Sequence, residues 1–275
     1  MSSAYAWALG WLRGSRIVES RSRADPRRVL IILLAGVAAG ALNAVGGGGS
    51  FVALSALVAG GMPPVTANAT STVALLPGNA TSAWVYRRQI HVFEHVTTLR
   101  LTLASVFGGA LGAGLLLWLP SASFDAAVPW LLAFATLVLA FGKRLNRAFS
   151  LGMPGPAVIL TGQFLLSIYG GYFGGAVGTM MLAFWTATSS LDTARGTPLR
   201  VIQVGAVFLT AAVIFVFAAD VLDQPQRLIA MLCGAIIGGY LGAHLVRRLP
   251  QVVLRTLVLS TAVAMTILFF VRAFG

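Results

Sequence analysis

Cysteine, histidine and acidic residues are all scarce in this chain, and each shortage closes a route to chemistry. A single cysteine, Cys233, leaves no partner for an internal disulfide and no thiolate cluster for a metal. Three histidines, His91, His95 and His244, lie scattered. The seven acids (Glu19, Asp25, Glu94, Asp125, Asp192, Asp220 and Asp223) fall in the N-terminal tail, the linkers or the ends of apolar segments. No nucleophile–base pair and no paired intramembrane carboxylates are in place, so an intramembrane enzyme is disfavoured and neither metal nor cofactor is expected. No carboxylate sits where it would relay protons across a bilayer either.

Charge of any sign is itself short, at 9% of 275 residues, against about 25% in soluble domains. With 58% hydrophobic residues and a mean hydropathy of +0.88, the chain reads as an all-α, polytopic membrane protein. A net charge of +12 would point to nucleic acid in a soluble protein. Here the cations cluster in the tail and at the ends of apolar segments, where they set orientation and meet anionic headgroups. Membrane lipids are therefore expected partners, and nucleic acid is not.

What the chain does have is glycine in unusual places. Asn43-Ala44-Val45-Gly46-Gly47-Gly48-Gly49-Ser50 lies between the apolar segments Val29–Val45 and Phe51–Ala59. Non-helical backbone at that depth costs several kcal/mol per unpaired group unless protein buries it or a wet cavity solvates it. The amides after the break open a short helix, and a helix start carries about half a positive charge with several free N–H donors, which suits an anion. The competing reading is that small residues here merely let helices approach closely.

Further along, Thr66–Tyr86, Leu99–Leu119 and Ala126–Gly142 read as spans. A second break, Gly170–Gly178, separates Ala157–Tyr169 from Thr179–Thr188, and Thr197–Ala219, Arg227–Val246 and Val253–Ala273 follow. Eight segments result if each broken pair counts once. Residues 1–28, with Arg13, Arg16, Arg21, Arg23, Arg27 and Arg28, read as a basic cytoplasmic tail; a signal peptide with a long basic region is the rival.

The membrane domain, residues 29–274, divides into two internal repeats, 29–142 and 157–274. Gly108-Gly109-Ala110-Leu111-Gly112-Ala113 answers to Gly238-Gly239-Tyr240-Leu241-Gly242-Ala243 at an offset of 238 − 108 = 130. Thr66-Ala67-Asn68-Ala69-Thr70 answers to Thr193-Ala194-Arg195-Gly196-Thr197 at 193 − 66 = 127. Duplications with interrupted helices in matching positions are what many secondary transporters show. Whether the copies are parallel or inverted stays open, because eight simple crossings place Arg247-Arg248 and Asp220/Asp223 against the usual charge bias.

The expected site is a small-anion site near the midplane where the two breaks meet. Asn43, Gly47, Gly48, Gly49 and Ser50 face Gly174, Gly175, Gly178 and Thr179 in this reading. Asn68, Thr70 and Ser71 complete it from the first half, and Arg195, Thr197 and Arg200 from the second. Arginine suits an oxyanion because its fork donates two parallel hydrogen bonds. For Arg195 the alternative is a helix-end side chain that snorkels to the interface beside Asp192. Gln163 and Gln203 are candidate interhelical hydrogen-bonders, and Tyr169, Tyr172 and Phe173 candidate gates or packing residues.

The glycine break with its short helix, the Ala67-x-x-Thr70-Ser71 start, the Tyr86-Arg87-Arg88 exit and the Gly-Gly-x-Leu-Gly-Ala helix together resemble the TauE/SafE family of sulfite- and sulfonate-type anion exporters, over roughly residues 29–274. That resemblance implies a bacterial inner-membrane transporter with eight transmembrane segments that exports sulfite, a sulfonate or a related anion between its repeats. An anion channel or a carrier of an unrelated small solute is the alternative. Arg195 and Pro198 stand where the first half has Asn68 and Ser71, so the two half-sites are not chemically equivalent.

Overall fold

Proline and glycine set the helix boundaries. In the computed structural model, which describes residues 26–46, 48–88, 96–148, 155–189, 193–245 and 251–274, helices begin at Pro26, Pro64, Pro156 and Pro225. The missing N–H of proline costs nothing in a first turn, whose donors have no intrahelical acceptor anyway. The elements are α1 (Pro26–Gly46), α2 (Gly49–Ala59), α3 (Pro64–Tyr86), α4 (Thr98–Trp118), α5 (Ser121–Ala148), α6 (Pro156–Tyr172), α7 (Val177–Thr188), α8 (Thr193–Ala218), a 3-10 turn at Asp220–Asp223, α9 (Pro225–Leu245) and α10 (Gln251–Phe274). No strand occurs among the described residues. The tail expected over residues 1–28 falls almost wholly outside the described residues.

Among the described residues, five helices are long and apolar enough to cross a membrane: Pro26–Ala44, Thr98–Trp118, Ser121–Val138, Arg195–Ala218 and Pro225–His244. Their outward faces carry Leu30, Phe107, Trp118, Trp130, Leu209 and Phe217, as a lipid-facing surface requires. The chain is a multi-pass membrane protein. Several boundaries differ from the sequence reading: α8 starts at Thr193 rather than Thr197, and α5, read from the sequence as Ala126–Gly142, is longer at both ends. The helix opens at Ser121, directly after Pro120, whose carbonyl accepts from the Ser123 amide at 2.9 Å. The earlier start brings Phe124 into the core.

Both glycine breaks are the turns of helical hairpins rather than interruptions in straight rods. The start of α2 lies on α1 at Ala39 and Asn43, while Gly60 just past its end lies near Ile32. In the second half Val177 meets Gly170, and Phe184 folds over Gly162. Each short helix thus runs back along the helix before it. This long-range direction is what the sequence pattern left open.

The hairpins are held by helices from the opposite half. Helix α1 packs chiefly on α9, and α6 chiefly on α4. Both pairs run parallel: Gly36 and Gly40 face Met231 and Ala235, and Gly108 and Gly112 face Phe164 and Ile168. A Cβ on Gly108 would come 2.6 Å from the Phe164 carbonyl, so only glycine permits this approach. Helices α5 and α10, by contrast, run antiparallel, with Trp130 beside Phe270 and Thr136 hydrogen-bonded to Thr266 at 2.9 Å. Most of the buried apolar residues form one continuous core through all ten helices.

Candidate functional site

The two hairpin tips meet. Ser50 Oγ, in the first turn of α2, donates to the Gly174 carbonyl of the other tip at 3.4 Å. Gly174 adopts φ 79° and Ala176 φ 58°, both in the left-handed region, so this turn holds a non-glycine residue where the Cβ is penalised. A side chain on Gly49 would collide with the Ala39 carbonyl, and one on Gly175 with the Phe51 ring. The glycines are therefore required by closeness of approach, and the junction is built around them.

Two helix N-termini point into this junction without caps. Gly48 precedes α2 and Ala176 precedes α7, and neither position has a side-chain cap. Both starts are buried: Gly48, Gly49 and Ser50 on one side, Ala176, Val177 and Gly178 on the other. First-turn amides have no intrahelical acceptor, and a helix end buried without partners is normally avoided. Two such ends facing one another concentrate positive potential.

Arg200 adds a full charge. It is 2% exposed and the only charged side chain buried among the described residues. Its stem lies against Gly178, where a Cβ would stand 3.2 Å from Arg200 Cδ, and Nη2 donates to the Ala44 carbonyl at 3.0 Å. That bond satisfies a carbonyl at the C-terminal end of α1, where a cation also complements the helix dipole. Arg200 Nε nevertheless has no protein partner, and no carboxylate among the described residues pairs with the guanidinium. The acids Asp125, Asp220 and Asp223 are all exposed.

A matching bond ties the opposite tip. Asn68 Nδ2 donates to the Tyr172 carbonyl at the end of α6 at 2.9 Å, so a polar side chain from each half holds the end of the other half's hairpin helix. Ser71 and Thr72 turn back onto the Asn68 carbonyl at 2.8 and 3.1 Å. Ser71 therefore spends its hydroxyl inside its own helix. Asn43 Oδ1, Asn68 Oδ1, Thr70 Oγ1 and Arg200 Nε are buried and unpartnered within the protein. Left dry, each would cost about 1–3 kcal/mol, and together they would rival a total stability of about 5–15 kcal/mol.

Among the expected site residues, then, Asn43, Gly48, Gly49, Ser50, Gly174, Gly175, Gly178 and Arg200 border the junction of the tips. Asn68 reaches it through the Tyr172 carbonyl, and Thr70, two positions further along α3, is buried. Thr179 and Thr197 are half-buried and each has an interaction partner. Arg195 is exposed near the start of α8 and also has an interaction partner, and Asp192 lies outside the described residues. Gly47 lies outside the described residues.

One wall of the junction was named from the sequence only through Tyr172 and Phe173. Phe51 and Phe173 stand 6.3 Å apart between ring centroids, and Phe124 from α5 stands 6.5 Å from Phe173 and 5.7 Å from Tyr172. All three phenylalanines are buried. Phe51 follows the glycine run directly, which is the cue that marks it. Phe124 is brought in only by the long-range packing of α5.

Known proteins of similar sequence match nearly the whole of the membrane domain. The sulfite exporter TauE/SafE family matches residues 32–269. A "Probable membrane transporter protein" of Haemophilus influenzae is 24% identical over 242 residues, covering 86% of this chain and 92% of that protein. "Probable membrane transporter protein ORF9" of Sinorhizobium is 23% identical, over 86% and 90% of the two chains. "Probable membrane transporter protein YfcA" of Escherichia coli K12 is 23% identical over 88% and 89%. No solved structure matches the chain.

Proposed function

The chain belongs to the sulfite exporter TauE/SafE family and is a membrane transporter, and on that footing we propose that it carries a small anion of the sulfite or sulfonate class out of a bacterial cell, across the inner membrane, through the junction of its hairpin tips. The observation that carries this reading is the meeting of two buried, uncapped helix starts, one of them against a buried arginine that has no carboxylate partner among the described residues. A cation in such a place costs on the order of 3 kcal/mol or more unless a partner compensates it. An anionic solute is that partner, held by Arg200 Nε and the first-turn amides of α2 and α7.

We read residues 29–142 and 157–274 as inverted copies about an axis in the membrane plane. The Thr136–Thr266 hydrogen bond supports this, because 266 − 136 = 130 is the same offset that relates Gly108 to Gly238. A residue bonded to its own repeat mate lies beside the axis, and the antiparallel course of α5 and α10 gives that axis its direction. Burial of both tips under Phe51, Phe124 and Phe173 favours alternating access over a standing pore.

Export of this kind needs no proton. A potential negative inside drives each negative charge outward with about 2.3 kcal/mol per 100 mV. In proteoliposomes, sulfite efflux should rise with an imposed potassium-diffusion potential, and Arg200→Gln should lower it at least about tenfold, the worth of one charge-assisted hydrogen bond. Undiminished efflux from folded Arg200→Gln protein would remove the site. Efflux that follows a pH gradient and ignores the potential would remove the driving force.

A further inference from the structure

Away from the junction, the outer surface carries a groove of about 400 Å³ between α4 and α6, lined by Arg100, Leu103, Ala104, Leu160, Thr161 and Phe164. Its lining is one cation, one hydroxyl and four apolar side chains. Arg100 and Thr161 are exposed; Arg100 lies in the first turn of α4, at the end of a candidate span, Leu160 and Thr161 are neighbours in the second turn of α6, and Leu103 and Phe164 lie further along their helices. Because α4 and α6 run parallel, their starts lie at the same end of the molecule. The cations of that end are numerous: exposed Arg87 and Arg88 close α3, and the sequence places Lys143, Arg144 and Arg147 in the last turns of α5, just before the linker to α6.

We propose that this groove is a binding site for an anionic phospholipid, whose phosphate is held by Arg100 and Thr161 and whose acyl chain lies along Leu103, Leu160 and Phe164. Basic pockets between helices at a cation-rich end are where anionic headgroups are bound, and an apolar groove open to the bilayer has acyl chains as its nearest occupants. A guanidinium at the headgroup level supplies the charge complement, and the threonine hydroxyl supplies a second donor to the same phosphate. The site shares no residue with the tip junction, so it stands or falls independently of the transported solute.

Native mass spectrometry of the full chain with phosphatidylglycerol and phosphatidylcholine of identical acyl chains tests this. Phosphatidylglycerol should be retained in preference, and Arg100→Gln should weaken its retention about fivefold, the factor that one interfacial cation is worth. Ala104→Trp, which fills the groove and keeps the charge, should release the lipid as well. Glycerol phosphate, the headgroup without its chains, should not displace it. Equal retention of the two lipids, unchanged retention in both variants, or displacement by glycerol phosphate alone would each overturn the proposal.

Discussion

Two polar clusters lie inside the helical body, and they are finished in opposite ways. In the first, Gln163 Nε2 donates to Ser105 Oγ at 2.8 Å, Ser105 Oγ to Gln203 Oε1 at 2.9 Å, and Gln203 Nε2 to Thr102 Oγ1 at 3.2 Å. Trp185 Nε1 donates to Gln163 Oε1 at 3.1 Å. This chain ties α6 and α7 to α4 and α8, and every member is satisfied. In the second, at the hairpin tips, Asn43, Asn68, Thr70 and Arg200 each keep an atom without a protein partner. A closed network of the first kind fixes helix positions, whereas orphaned groups of the second kind call for partners from outside the protein, donors for the amide oxygens and an acceptor for Arg200 Nε.

That contrast can be broken by substitution. The largest effect is expected at Gly49, which serves both the fold and the junction. Gly49→Val would drive a side chain into the Ala39 carbonyl of α1, backbone that cannot step aside. A loss of about 3 kcal/mol or more, seen as failure to recover monodisperse protein or as a much lower Tm, is the outcome for overpacking of this kind. Normal stability of that variant would mean that the hairpin is not packed as described.

Next comes Gln163→Leu, which strips Trp185 Nε1 of its acceptor and Ser105 of its donor. Stability should fall by about 2–3 kcal/mol in chemical or thermal unfolding, while the affinity for anion in the surviving folded protein stays within about twofold. Asn43→Leu should do the reverse. It removes a buried amide oxygen that has no protein partner, and with it the amide N–H donors an anion would use, so stability should stay level or rise by up to about 1 kcal/mol while anion binding falls. If both variants lose stability alike, the distinction between the clusters is wrong.

The smallest effect is expected at the proposed axis. Thr136→Val removes one half of the Thr136–Thr266 pair, but Thr266 Oγ1 also bonds the Ala262 carbonyl at 2.7 Å and remains satisfied. A cost of about 0.5–1 kcal/mol follows, with transport unchanged, and a loss of transport at normal stability would show that this contact does more than join the halves.

Much of this was legible in the sequence, and the limit has a physical reason. Four adjacent glycines with apolar flanks announce a tight backbone event, and Asn43 and Arg200 are polar where lipid penalises polarity, so local chemistry marks them. Gln163 and Gln203 stand out for the same reason, and both do bond between helices. The hairpin direction, the arrival of Phe124 beside Tyr172 and the pairing of Ser105 with both glutamines depend on contacts that reach well beyond a helical turn, from Gly60 on Ile32 to Ser105 on Gln203, which no local pattern encodes. Arg195 and Arg200 show the point most sharply. They lie five positions apart on one helix, yet one is exposed and the other 2% exposed, because only Arg200 faces the end of α1.

The central claim, that a solute anion completes the arginine and helix starts at the tips, is tested most directly by thermal unfolding of purified wild-type and Arg200→Gln protein across rising sulfite, with chloride matched for ionic strength. A ligand bound only by the folded state raises Tm by mass action. Sulfite should raise the wild-type Tm in a saturable way and leave that of Arg200→Gln unmoved, whereas equal shifts in the two proteins, or no saturable shift in either with sulfite or a sulfonate, would contradict it.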